Sequence, residues 1–258
     1  MVLKAFRTLF GGHVAPRAGL GTRVYVIGDI HGRPDLLERM LDVVERHDAQ
    51  RALRTRREVV FVGDIIDRGP HSREALQVLN EAQRRLPELV TLLGNHEEML
   101  LRALAGDEVT IRGWMRVGGA ETVESFGLSA LAEGEDAVPF VAALQRAVPT
   151  EWVEWLQSWP LTARSGDYFI CHAGVKPGVA LARQARRDLL WARHEFLDDP
   201  RDHGAIIVHG HTISEEVEIR RNRIGIDTGA YRTGTLSAVC LEGTEVEVLT
   251  VHGDVTTS

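Results

Sequence analysis

Apolar runs that stop at a glycine followed by a polar side chain recur three times in the first hundred residues. "RVYVIGDIHG" (23–32) reads as a buried strand ending in a Gly-rich loop. "PDLLERMLDVVERH" follows with Leu36, Leu37, Met40, Leu41 and Val44 at helical spacing, and Pro34 suits a first helical position. "EVVFVGDIIDRGP" and "SREALQVLNEAQRRL" repeat the design, and "ELVTLLGNHEEML" begins it again. Three successive strand–loop–helix units predict a parallel α/β core.

Residues 106–160 change character, broken by "GG", "FGL", "EGED" and prolines, and predict short helices inserted over one face. "LTARSGDYFICHAG" then reads as two strands joined by a turn, "AIIVHGHT" as a short strand, and "VEIRRNRIGIDTGA" and "LSAVCLEGTEVEVLTVHG" as hairpins. The sum is an α/β sandwich of two mixed sheets flanked by helices, with residues 23–252 as one domain and 1–22 as an N-terminal extension. In that extension Val2, Leu3, Phe6, Leu9 and Phe10 share a helical face, which predicts a short helix packed on the domain; the same face suits weak contact of residues 1–12 with a membrane surface.

Composition narrows the picture. The chain of 258 residues is 44% hydrophobic and 26% charged, enough to bury a sizeable core. Its net charge of -7 offers no basic field for nucleic acid. No apolar run is long enough to span a bilayer. Cys171 and Cys240, far apart and without CxxC spacing, fit a reducing cytoplasm.

The candidate chemistry sits at the strand tips. They present Asp29 and His31, then Asp64 with Asp67 and Arg68, then Asn95 and His96, and later His172, His209 and His211. Singly, such residues are turn formers, helix caps or hydrogen-bonded histidines; Asn95 with Glu98 even matches a capping box. Jointly they point to metal, because ligands in open α/β sheets gather beyond the carboxyl ends of the strands. Carboxylate, imidazole and amide oxygen without thiolate suit manganese, iron, zinc, nickel or cobalt. The donors are too many for one ion, and a carboxylate can bridge two metals about 3.5–4 Å apart.

"GDIHG", "GDIIDRG" and "GNHE" in this order, followed by "HAG" and "GHT", resemble the calcineurin-like metallophosphoesterases, and more closely the bacterial and phage branch of the phosphoprotein phosphatases. "LLWARHEF" and "IDTGA" add weaker matches. The resemblance implies the metallophosphoesterase fold and two divalent metals, manganese first among them. Asp29, His31 and Asp64 would hold one, and Asp64 would bridge to a second completed by Asn95, His172 and His211. Arg68, Arg193 and Asn95 would hold the phosphate, and His96, oriented by Asp67, would be the general acid. Two metals and two guanidiniums can neutralise the phosphoryl oxygens, and an imidazole can protonate a leaving alkoxide. Ile213 stands where many relatives carry a further histidine, so the first metal would keep more water. His209 and Asp227 read as hydrogen-bonded structural groups and Cys171 as a packed thiol.

The activity implied is phosphomonoester hydrolysis by metal-bound hydroxide, with a serine/threonine (or dual-specificity) protein phosphatase as the first reading and small phosphoesters as further substrates. The alternative is a symmetrical dinucleoside tetraphosphatase or related nucleotide phosphohydrolase; a third reading is an inactive binding module, against which every motif residue is present. The insertion, as a substrate wall, should decide between the two enzymes.

Overall fold

Both faces of the strand Thr22–Ile27 are buried, and its alternating side chains fix the layering of the protein. Val24 and Val26 face a second sheet, whereas Tyr25 and Ile27 face helices. The computed structural model describes residues 15–51 and 55–255 together with the backbone of Val2–Leu3.

Two mixed sheets result. The first has six strands in the order β1 (Val2–Leu3), β11 (Glu245–His252), β10 (Thr235–Glu242), β2 (Thr22–Ile27), β3 (Arg56–Phe61) and β4 (Leu89–Thr91). The second has five, ordered β5 (Thr162–Ser165), β6 (Tyr168–Cys171), β7 (Ile206–His209), β9 (Arg223–Gly225) and β8 (Glu218–Ile219). Strands β2, β3 and β4 are parallel, as are β6, β7 and β9; the hairpins β5–β6, β8–β9 and β10–β11 are antiparallel. Val24, Val26 and Val60 meet Ile170, Val208 and Ile224 between the sheets.

Helices α1 (Pro34–Ala49), α2 (Ser72–Arg85) and α3 (Asn95–Leu104) follow the three parallel strands. Leu36, Leu37 and Met40 of α1 and Leu76 and Leu79 of α2 pack on Tyr25, Ile27, Val59 and Phe61. At about 1.5–3 kcal/mol for each such side chain, this layer is a main source of stability. The insertion comprises α4 (Glu108–Trp114), a π-helical turn at Met115–Gly119, α5 (Ala120–Ser125), α6 (Ala137–Ala147) and α7 (Thr150–Gln157). It joins the same core through Trp114, Val123, Phe140 and Leu156. Helices α8 (Arg186–Trp191) and α9 (His194–Leu197) cover the outer face of the second sheet, where Phe169, Cys171 and Ile207 meet Leu189 and Phe196. A last short helix, α10 (Ala230–Thr233), precedes β10. Both cysteines are buried and unpaired, and the Cys171 thiol donates to Gly174 O at 3.3 Å.

Two local expectations change. Val2–Leu3 pairs with β11 as a strand, where hydrophobic spacing suggested a helix; residues 4–14, the rest of that segment, lie outside the described residues. Asn95 is the first residue of α3 and not its cap. The cap is Gly94, whose N–H donates at 3.0 Å to Glu97, so Glu97 closes the turn in place of Glu98.

Parallel strands share a direction, so their carboxyl ends share an edge, and the turns there are tight. Gly63 has φ +102, and a Cβ on it would stand 2.5 Å from the backbone nitrogen of Gly94. Gly21, with φ +70, has nothing within 4 Å. Gly63→Ala should therefore cost about 3 kcal/mol or more, through strain and backbone collision together. Gly21→Ala should cost only about 1–2 kcal/mol. Thermal unfolding of the two variants checks this, and equal losses would remove the claim that the tip turn is sterically closed.

Candidate active site

Each strand tip delivers its side chain through an unusual backbone. The five non-glycine residues with positive φ among those described are His31, Asp64, Asp67, Arg68 and His211. All five belong to the strand-tip set, and such conformations cost about 1–3 kcal/mol each unless their surroundings enforce them. Backbone bonds supply that enforcement: Ile30 N and His31 N both donate to Asp64 O, at 3.0 and 2.9 Å. Arg68 N donates to Gly118 O at 3.0 Å, in the π-helical turn of the insertion.

Asp64 is the centre. Its Oδ2 lies 3.6 Å from His31 Nε2, 3.8 Å from His96 Nε2 and 3.4 Å from His172 Nε2. Two groups able to hold a metal share it: His31, Asp64 and His96, and Asp64, His172 and His211, each with donor atoms within 4.8 Å of one another. His31 Nδ1 donates to Ile66 O at 2.7 Å and His172 Nδ1 to Val62 O at 2.9 Å. Those bonds leave the Nε2 atom of each ring facing inward, the atom that a metal would take. Asn95 Oδ1 lies 2.8 Å from His172 Nε2, and His211 Nδ1 3.2 Å from it. Asp29 stands at the margin: its Oδ2 accepts from His211 N at 3.0 Å, and it joins neither three-residue group.

The residues present fit divalent cations on two grounds. Asp29 Oδ1, Asp64 Oδ2, His211 Nε2 and Asp227 Oδ2 are buried without a hydrogen-bond partner among the described residues, which is costly for acceptors that a cation would satisfy. The electrostatics agree. Burial and the neighbouring Asp227 push the Asp29 carboxyl well above its usual range. Burial with the charge of Asp64 lifts Glu97 to about 7, and burial lifts Asp227 to about 6. Against the cost of burial, Asp64 draws His172 up to about 9. Burial, with His172 beside it, pushes His211 down to about 3, so that ring is neutral and available as a ligand.

Asp67 is satisfied differently. Its Oδ2 accepts from His96 Nδ1 at 2.6 Å and from Trp114 Nε1 at 2.6 Å, and its Oδ1 from the Thr122 hydroxyl at 2.5 Å. Trp114 and Thr122, both fully buried, come from the insertion. Burial pushes Asp67 up despite these bonds, while His96 is raised by Asp64 and Asp67 against its own burial. The free edge of His96 faces Arg68, whose guanidinium lies 3.1 Å from His96 Nε2 and donates to His31 Nε2 at 3.0 Å. The Arg68 guanidinium also lies 5.3 Å over the Tyr231 ring.

Above this floor opens a cavity of about 900 Å³ whose walls bring Arg68, Arg116, Arg193 and Arg232 together with one carboxylate, Glu121. Arg116, Arg193 and Arg232 are exposed, and among the described residues their guanidiniums make no hydrogen bond or ion pair. His209 lies apart from the site, against the Phe196 ring, with Nδ1 bonded to Gly210 O. Asp227 accepts from Gly229 N at 2.8 Å, yet its other oxygen is unpartnered and it is close enough to Asp29 to perturb it. Sequence reasoning passed over Trp114, Thr122, Glu97, Arg116 and Arg232. Only the position of "GWMR" within the insertion hinted at any of them.

Comparison with known proteins gives a consistent picture. The calcineurin-like phosphoesterase profile matches residues 22–253. The symmetrical bis(5'-nucleosyl)-tetraphosphatase of Methylococcus capsulatus is 29% identical over 164 residues, which cover 62% of this chain and 47% of that protein. The asymmetrical bis(5'-nucleosyl)-tetraphosphatase PrpE of Bacillus thuringiensis is 27% identical over 254 residues, 88% of this chain and 92% of the relative. The chain thus spans about half the length of the symmetrical enzyme and nearly all of the asymmetrical one. Among solved structures, one provisionally named a diadenosine tetraphosphatase superposes with a TM-score of 0.62 at 21% identity, covering 93% of this chain and 99% of its own. A protein serine/threonine phosphatase from Saccharomyces cerevisiae gives 0.58 at 14% identity, covering 92% and 82%. At these identities the structural likeness is one of fold.

The clamp on Asp67 can be tested alone. Trp114→Phe and Thr122→Val each remove one donor from a buried carboxylate and should cost about 1.5–3 kcal/mol in denaturant unfolding. Thr122→Ser keeps the hydroxyl and should recover most of the loss. Equal destabilisation by Val and Ser would mean that packing, and not the hydrogen bond, holds Asp67.

Proposed function

The chain belongs to the calcineurin-like phosphoesterase family, and from that premise we propose that it hydrolyses a phosphoanhydride of a nucleoside polyphosphate, with dinucleoside tetraphosphates as the leading substrates. The observation that carries the reading is the cavity in which four arginines face a single carboxylate. In a chain of net charge -7, three exposed guanidiniums without a partner among the described residues, together with Arg68, give this cavity a local positive field that draws an anion. A phosphomonoester needs two such groups; four suit a run of phosphates. Both curated relatives described above carry the tetraphosphatase name, which supports the alternative reached from sequence over its first reading, a protein phosphatase.

In the proposed mechanism the chain's own residues bind, orient and move a proton. His31, Asp64, His172, His211 and Asn95, with Asp29 at the margin, would hold two divalent ions. The donor set suits manganese, iron, zinc, nickel or cobalt, and manganese comes first on the family resemblance. Such ions supply charge neutralisation and a water of lowered pKa. Arg68 and Arg193 hold the oxygens of the phosphate under attack. As the oxygen of water bonds to phosphorus and its proton passes to solvent, the bridging P–O bond breaks, and His96 hands its own proton to the departing oxygen while Asp67 stabilises the ring.

One observation keeps the second reading alive. The His96–Asp67 pair, clamped by Trp114 and Thr122, is a well-built acid, and an alkoxide departing from phosphoserine needs a proton more than a departing phosphate does. A direct comparison decides. The manganese-loaded protein should prefer diadenosine tetraphosphate to a phosphoserine peptide. Arg116→Ala and Arg232→Ala should each raise KM for the dinucleotide about five- to tenfold, in line with loss of one charge-assisted contact, and leave p-nitrophenyl phosphate almost untouched. Preference for the peptide would sink the nucleotide reading.

Removing metal tests the ligand assignment separately. Chelation should lower the melting temperature, because cations bound by the folded chain stabilise it by about 2.7 kcal/mol at a hundred times their Kd. Asn95→Ala should lose part of the bound manganese measured by elemental analysis, whereas His96→Asn should retain it and turn over slowly. Equal metal loss in both would contradict the division of roles.

A further inference from the structure

A second cavity, of about 420 Å³, shares Arg193 and His194 with the large one. Its lining includes Lys176, Arg187 and Trp191. Asp188 and Glu195 also line it, so this wall is closer to charge balance than the arginine-rich one. Among the described residues, neither the Lys176 ammonium nor the Arg187 guanidinium has a hydrogen-bond or ion-pair partner. Trp191 is 37% exposed, yet its orientation is set: Nε1 donates to Glu98 at 3.3 Å, and its ring stands edge-on to His211 at 6.1 Å.

We propose that the site takes its substrate in two arms that part at Arg193, a design for a phosphate substituted on both sides; this rests on the nucleotide reading above. The reason is the geometry of in-line displacement. The leaving oxygen departs opposite the attacking one, while the substituent that stays on phosphorus lies in the plane between them. A terminal phosphate has one organic arm. An internal phosphoanhydride has two, and they leave phosphorus in different directions, so one groove cannot hold both. Here two cavities meet at a guanidinium assigned to the phosphate. The basic cavity takes the arm with the longer run of phosphates. The second takes the other nucleoside end, its base against Trp191 and its remaining charge met by Lys176 and Arg187.

The test uses the full chain loaded with manganese. Lys176→Ala combined with Arg187→Ala truncates exposed side chains outside any hydrogen-bond network, so folding is preserved. KM for diadenosine tetraphosphate should rise about tenfold, and binding of a methylene-bridged diadenosine polyphosphate in calorimetry should weaken by the same factor. The kcat/KM for p-nitrophenyl phosphate, a one-armed substrate, should stay within about twofold. An unchanged dinucleotide KM in a protein that prefers the dinucleotide overturns the second arm and leaves the nucleotide reading standing; equal losses on both substrates also overturn it. A wild-type protein that turns over p-nitrophenyl phosphate and ignores the dinucleotide sinks the nucleotide reading itself, before any variant is compared.

Discussion

Five carboxylates, Asp29, Asp64, Asp67, Glu97 and Asp227, are buried within one small region, and the rest of the structure is arranged to make that tolerable. Isolated buried charge is too costly to persist, so each must be met by donors, by a positive group or by a proton. The way each is met sorts them. Asp67 is fully answered by the protein, through His96, Trp114 and Thr122. Glu97 is answered by the backbone N–H groups of Asp64, Ile65 and Gly94. Asp29, Asp64 and Asp227 each keep an oxygen that nothing among the described residues meets. Asp67 and Glu97 are therefore internal struts, and Asp29, Asp64 and Asp227 are the ones left for a cation or a proton to answer.

Bringing those groups together requires backbone that most residues avoid. His31, Asp64, Asp67, Arg68 and His211 sit at positive φ because the strand must turn abruptly to aim its side chain across the sheet edge. The hydrogen bonds from Ile30 and His31 to Asp64 O tie the first tip to the second, and Arg68 is tied to the insertion through Gly118. The tips are thus one interlocked unit, and strain at each is repaid by its neighbours. Glu97 belongs to the same unit: it caps its own helix and also receives the Asp64 and Ile65 amides, so the start of α3 and the turn after β3 cannot move independently.

This explains what could be read from the chain in advance. The strand–Gly–Asp pattern carries its meaning in order and spacing, which is why the layers and the convergence of Asp64, His31, Asn95, His172 and His211 were legible. The cap was not. Asn95 with Glu98 satisfies a local rule that Gly94 with Glu97 satisfies better, because Asn95 is drawn to His172 and Glu98 to Arg186 and Trp191. A local pattern has no access to such distant partners. Val2 and Leu3 suit a helical face or a strand equally, and pairing with β11 decides. Trp114 and Thr122 carried no signal, since nothing nearby in sequence announces a carboxylate 47 and 55 residues away. Arg116 and Arg232 carried none for the same reason.

The division between floor and wall also explains why substrate was the least legible property. The floor must bind cations and a phosphoryl group, and those demands are identical whether the departing group is an alkoxide or a phosphate. Its residues are consequently locked into motifs that say "phosphoester" and nothing finer. Specificity falls to groups that touch only the parts of the substrate beyond the scissile bond. These stand on the insertion, on α10 and on the α8–α9 segment, where the chain is free to vary without disturbing the buried carboxylates. Arg68 and Arg193 line the large cavity, and on the function proposed above, in which they hold the reacting phosphate, they are the hinge between the two levels. A guanidinium in that position converts a substrate's extended shape into the placement of its phosphorus, so binding far from the scissile bond can be spent on orienting it.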